Sequence, residues 1–133
     1  MEKLEHLLER LMDRCAATGI GIIRINDGEI VYLKNTSKLP DSVIELACNA
    51  ALEMFQGKLM QSMMKTVAKH RPMPDGTIGL ESIKFTFSSA YHWMTLVKGK
   101  YIIVLSAPKM GISAGYTETI FRSFLPRIGM LLP

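Results

Sequence analysis

Residues able to do chemistry are sparse in this 133-residue chain, and they do not gather at the spacings catalysis uses. The three histidines, His6, His70 and His92, have no ligand-like spacing to one another or to Cys15 and Cys48, so each reads as structural or exposed. The fragment "GIG" at residues 19–21 opens a strand and not a helix, which leaves no helix amides to hold a pyrophosphate. No glycine-rich loop ends in Gly-Lys-Ser/Thr. Ser88 and Ser89 of "FTFSSAY" have His92 nearby, but a hairpin supplies neither an orienting acid nor an oxyanion hole. Beyond Glu53 the acidic residues are too few to pair carboxylates for acid/base work. These residues point away from an enzyme and away from a metal or other cofactor.

Composition agrees with an ordinary globular protein, with 48% hydrophobic and 21% charged residues. A chain of this size buries roughly two thirds of the surface it exposes when unfolded, so a core forms without disulfide or metal staples. Cys15 and Cys48 lie in helical patterns and read as buried thiols in a reducing compartment, a disulfide between them being the alternative. The start, "MEKLEHLLERLMDR", is acidic and amphipathic, unlike a secretory signal, and no apolar run approaches the roughly 18 residues of a membrane span. The expectation is a soluble, cytoplasmic protein with one domain over residues 1–133.

Charge is distributed unevenly. Residues 1–57 carry six basic and nine acidic side chains, whereas residues 58–133 carry ten basic and three acidic, a net −3 and +7. A basic half can serve nucleic acid or an acidic surface. The competing reading is that Lys84, Lys98, Lys100 and Lys109 protect strand edges and turns, and their wide spacing favours it.

The elements that must position these residues follow from hydrophobic period and punctuation. Leu4, Leu7, Leu8, Leu11, Met12 and Cys15 recur at helical spacing, predicting a helix over Lys3–Ala17 ended by Gly19. "IGIIRI" and "EIVYLKN" then form a hairpin about Asp27-Gly28, the first strand apolar enough to be covered on both faces. A long second helix follows, with Pro40 in its first turn and a capping box at Ser42-x-x-Glu45, and "RPMPDGTIG" ends it. Three strands, "ESIKFTFSS", "YHWMTLV" and "YIIVLSA", make a meander with the last one central. A final helix follows "PKMGISAG", stopped or kinked at Pro126. The fold class is α+β: a five-stranded antiparallel sheet, order helix, two strands, helix, three strands, helix, with helices on both faces.

Within the second helix, "MFQGKLMQSMMK" contains four of the ten methionines. Up to Phe55 the apolar face includes Ile44, Ala47, Cys48, Ala51 and Met54; beyond Gly57, Met60, Met64 and Val67 project on the formerly polar side and Lys58 and Lys65 on the formerly apolar one. Either Gly57 breaks the helix or a straight helix presents Met60 and Met64 to another chain. Met54 and Phe55 are expected to face the chain's own sheet and Met60 and Met64 to face elsewhere.

"TGIGIIRINDGEIVYLKN" looks like the opening hairpin of the roadblock/dynein light chain family, and "YIIVLSAPKMGISAG" is similar to that family's last strand and its loop into the final helix. The resemblance covers nearly the whole chain and implies the roadblock-like fold. It further implies a homodimer in which third strands pair edge to edge and second helices pack together, without catalysis. The family regulates Ras-like GTPases or scaffolds complexes. Carried over, the interface residues are Met60, Met64, Val67, Lys58, Lys65, Ile83, Phe85 and Phe87. A nucleic-acid or acidic-surface binder remains the alternative, as does a small-ligand sensor lined by Tyr91, Trp93 and Tyr101.

Overall fold

A strand with no polar face has to lie inside a sheet, and β1 (Gly19–Arg24) does. The computed structural model describes residues 3–71, 80–111 and 113–133. Around β1 run α1 (Leu4–Cys15), β2 (Ile30–Asn35), α2 (Asp41–Gln56), α3 (Lys58–His70), β3 (Ser82–Thr86), β4 (Ala90–Val97), β5 (Tyr101–Pro108) and α4 (Ala114–Leu131). The five strands form one antiparallel sheet in the order β2-β1-β5-β4-β3. The apolar β5 is central, as its composition requires.

Strand alternation divides the core into two layers. Ile20, Ile22, Trp93, Ile103 and Leu105 point to one face, where α1 and α4 cover them with Leu7, Leu8, Leu11, Phe121, Phe124 and Ile128. Ile23, Met94, Ile102 and Val104 point to the other face, where α2 supplies Ile44, Cys48, Ala51 and Phe55. Helix α2 sits low on this face because β1 has glycines beneath it. A Cβ on Gly19 would come within 2.6 Å of Ile44 Cδ1, and one on Gly21 within 2.5 Å of Cys48 Sγ.

Several ends differ from the sequence expectation. Helix α1 closes on Ala16, which takes the left-handed conformation at φ 55°, while Gly19 already belongs to β1. The capping box does not form: Pro40 is the N-cap without a side-chain cap, and Ser42 lies inside the helix. Instead Asn35 Nδ2 donates to the Leu39 carbonyl and to Asp41 Oδ1 at 3.2 Å, holding the start of α2 to the end of β2. The single long second helix is two helices. Gly57, at φ −61° and ψ 148°, is extended and starts α3 as its N-cap. Helix α4 begins at Ala114, with Ser113 Oγ accepting from the Tyr116 N–H, and it runs through Pro126 without ending there. Pro126 is exposed, away from the apolar face, so its ring meets no core neighbour. The expected break at "RPMPDGTIG" falls mainly on residues 72–79, outside the described residues.

The hairpin after β1 forms, but its connection spans residues 25–29 and only Gly28 takes a positive φ, at 69°, while Asp27 does not. Asp27 Oδ1 accepts from the Glu29 N–H at 3.0 Å and its Oδ2 from Arg24 at 2.9 Å. The backbone N–H of Glu29, and then Arg24, hold the Asp27 carboxyl below its usual range. Cys15 and Cys48 are free and buried, and desolvation pushes the Cys48 thiol up to about 11.

Candidate interaction surface

The helical cover on the α2 face is incomplete. Helix α2 packs mainly on β1, β2 and β5; Met94 of β4 is buried with it, while among the described residues the same face of β3 and the outer end of β4 has no comparable helical cover. On that less covered edge lie Ile83 and Phe85, both half-buried against the second core layer, and Phe87, which is 53% exposed. The rings of Phe85 and Phe87 stack at 6.0 Å between centroids, and Phe87 meets the His92 ring edge-on at 5.1 Å. His92 Nδ1 lies 3.0 Å from Ser106 Oγ on the neighbouring strand. Burial lowers the His92 pKa, which keeps the imidazole neutral at pH 7 and compatible with this apolar strip. Together these side chains form an aromatic band at the edge of the sheet.

Helix α3 contributes a second band. It docks on the end of α2, and none of its side chains is buried. Leu59, Met63 and Val67 follow one another at i, i+4 and i+8 and are 89%, 52% and 49% exposed. Met60 and Met64 occupy the flank of that stripe and are half-buried, while Lys58 and Lys65 are exposed. Met64 Sδ accepts from the Leu80 N–H at 3.0 Å, and Leu80 packs on the second core layer, two residues before β3. This contact ties the α3 stripe to the strand that carries Phe85. Phe55 faces the sheet as expected, but Met54 does not join the core. It lines a shallow groove of about 360 Å³ at the α2–α3 break with Glu53, Gly57, Lys58, Leu59 and Met60. Leu59 and Met63 are interface candidates that the sequence reading passed over, although the spacing 59, 63, 67 was there to be read.

Among the described residues the same edge of the sheet is open in its backbone. Strand β3 is outermost and pairs with β4 alone among the described strands, without a bulge or proline in its five residues. An exposed regular edge with one apolar face is a template for another strand.

Other residues take supporting places. Trp93 and Tyr101 are buried in the first core layer and Tyr91 packs against it, so among the described residues the three are placed as core and packing side chains. Trp93 Nε1 is buried without a hydrogen-bond partner among the described residues, beside a cavity of about 20 Å³ lined by Lys84, Thr95, Glu118 and Arg122, which is room for about one water. Lys84 and Lys109 lie over the Tyr91 ring at 6.0 and 5.8 Å, and Lys98 Nζ donates to the Leu132 carbonyl. These lysines are engaged in packing and turns and do not make one phosphate-binding row. Among the described residues no group of three or more His, Cys, Asp or Glu could hold a metal ion, and no helix is long and apolar enough to cross a membrane.

No protein-family model matches the sequence, and no curated protein matches it either. Solved structures do match its fold. The gliding protein MglB of Thermus thermophilus superposes with a TM-score of 0.70 at 12% identity, over 96% of this chain and 87% of that one. Myxococcus xanthus MglB gives a TM-score of 0.67 at 13% identity, over 96% and 93%. A roadblock/LC7 domain from Streptomyces avermitilis gives 0.66 at 12% identity, over 96% and 95%. With near-complete coverage of both chains and a five-stranded antiparallel sheet between helices, the chain adopts the roadblock/LC7 fold.

Proposed function

We propose that this chain is a non-catalytic homodimeric interaction module that regulates a small Ras-like GTPase or assembles a larger complex. The observation that carries this reading is the less covered side of the sheet beside an edge that no described strand pairs, with Ile83, Phe85 and Phe87 in line on it. A second copy supplies the missing strand, and the α3 stripe of Leu59, Met63 and Val67 extends the contact or offers it to a third protein. The roadblock/LC7 fold of MglB and its like supports the reading, since that fold is one the resemblance associates with regulation and scaffolding.

Light scattering at micromolar concentration tests the dimer. Wild-type protein is expected at twice the monomer mass, and Phe85→Glu at the monomer mass with unchanged circular dichroism. A wild-type monomer, or a Phe85→Glu dimer, refutes the role of this edge. For the regulatory arm, GTP hydrolysis and nucleotide release by purified Ras-like GTPases are followed with wild-type protein and with Leu59→Asp. A rate changed by the wild type and restored by Leu59→Asp supports it; rates unaffected by the wild type across the panel rule it out.

A further inference from the structure

The hydrogen-bond parity of β3 fixes which of its residues another strand can meet. Phe87 N–H donates to the Ala90 carbonyl, and the Leu96 N–H donates to the Glu81 carbonyl, so the residues bonded to β4 are 81, 83, 85 and 87. The outward backbone groups therefore belong to Ser82, Lys84 and Thr86. Their side chains also point to the face opposite Ile83 and Phe85, since neighbouring residues of a strand alternate.

A two-fold antiparallel pairing of β3 with its copy must place even residues opposite even residues. The three central registers pivot on Ile83, on Lys84 or on Phe85. Pivoting on Lys84 sets two ammonium groups directly opposite each other and leaves the exposed Phe87 against Glu81 of the other copy. Pivoting on Ile83 sets Phe85 against Glu81 and leaves Phe87 beyond the paired segment. Pivoting on Phe85 pairs Lys84 with Thr86, Phe85 with Phe85, and Ile83 with Phe87. Every apolar residue of the strip then meets an apolar residue, and each Lys84 stays over its own Tyr91 ring.

Resting on the dimer reading above, we infer that two copies pair through β3 in the register centred on Phe85, so that the Phe85 rings face each other across the two-fold axis. In that register Phe85–Phe85 and Ile83–Phe87 are pairs without a direct backbone bond, the closer kind, with Cα atoms about 4.5 Å apart. That separation lies inside the range a disulfide spans, about 4.4–6.8 Å between Cα atoms.

The test is site-specific crosslinking of Phe85→Cys, Lys84→Cys and Ile83→Cys under mild copper-phenanthroline oxidation, with wild-type protein as control. The control should not crosslink, because its own two thiols are buried. Phe85→Cys is expected to form covalent dimers at least ten times faster than Lys84→Cys or Ile83→Cys. Because losing the Phe85 ring can weaken association, a mixture of Ile83→Cys and Phe87→Cys is oxidised as well. It is expected to give a heterodimeric crosslink absent from either variant alone. Faster crosslinking of Lys84→Cys or of Ile83→Cys, or no crosslink in the mixture, overturns the register while leaving the dimer standing. Monomers of every reduced variant and of wild type by light scattering overturn the dimer itself.

Discussion

Adding one methyl group at Gly21 probes how closely α2 sits on the sheet. A Cβ there would stand 2.5 Å from Cys48 Sγ, 3.5 Å from Ile44 Cγ2 and 3.6 Å from Leu33 Cδ1. The last two are ordinary contacts; the first is short by roughly 1 Å, which is the overpacking regime of about 1–3 kcal/mol. Cys48 is fully buried, so its thiol has no open space to turn into. Reduced freedom of the unfolded chain returns about 0.4–1 kcal/mol. Gly21→Ala should thus destabilise by about 1–2 kcal/mol. Cys48→Ala alone removes one buried heavy atom and should cost about 1 kcal/mol, as other single-atom core deletions do. The double variant is the informative one, because alanine at 48 vacates the volume that alanine at 21 needs. It should be more stable than the sum of the single effects predicts by about 1 kcal/mol, a coupling of the size neighbouring residues show. Urea unfolding reads this as a change in midpoint with the slope held constant. A neutral Gly21→Ala, or a double variant additive to about 0.3 kcal/mol, would refute the close approach of α2 to β1.

Burial lowers the pKa of His92, so the unfolded chain takes up a proton there before the folded one does. Stability should be constant above the unfolded value near 6.5, fall as pH drops from it through the lower folded value, and level off below, and His92→Gln should flatten that segment of a pH-dependent melting series. Cys48, with its pKa near 11 and no exposure, should resist iodoacetamide at pH 8 in the folded protein and react only after unfolding; quantitative native labelling, read by mass spectrometry, would contradict its placement. Pro126→Ala should raise thermal stability by about 1–2 kcal/mol, since it restores a backbone N–H inside α4 at an exposed position, and a loss of stability would mean that the proline shapes the packing of α4 on α1.

Much of the fold was legible because the strongest signals were local. The period of Leu4, Leu7, Leu8 and Leu11, the Asp27-Gly28 turn and the two all-apolar strands each had one physical solution, and the sheet order follows from them. Helix ends were read less well. Ala16 takes a left-handed conformation usually left to glycine, Ser42 forms no cap because α2 already begins at Asp41, and Pro126 is tolerated inside α4. Each depends on tertiary contacts that spacing does not encode. The change of stripe at Gly57 was visible in the sequence, and it marks a break between α2 and α3. What the wheel could not show is that α2 packs mainly on β1, β2 and β5, and that exposure on α3 falls mainly to Leu59, Met63 and Val67 with Met60 and Met64 on the flank. Likewise Phe85 and Phe87 were picked out through a family likeness, whereas the partner His92, its bond to Ser106 and the outward parity of Ser82, Lys84 and Thr86 required the pairing register.

Amide hydrogen exchange at those outward positions tests the central claim most directly. In a dimer joined through β3, the N–H groups of Lys84 and Thr86 are bonded to the other copy and should exchange slowly at high protein concentration. Dilution below the dissociation constant, or Phe85→Glu, should release them while the N–H groups of Phe85 and Phe87, bonded to β4, stay protected. Exchange of Lys84 and Thr86 that is fast at every concentration, with Phe85 and Phe87 protected throughout, would show that β3 remains an open edge and would contradict the account.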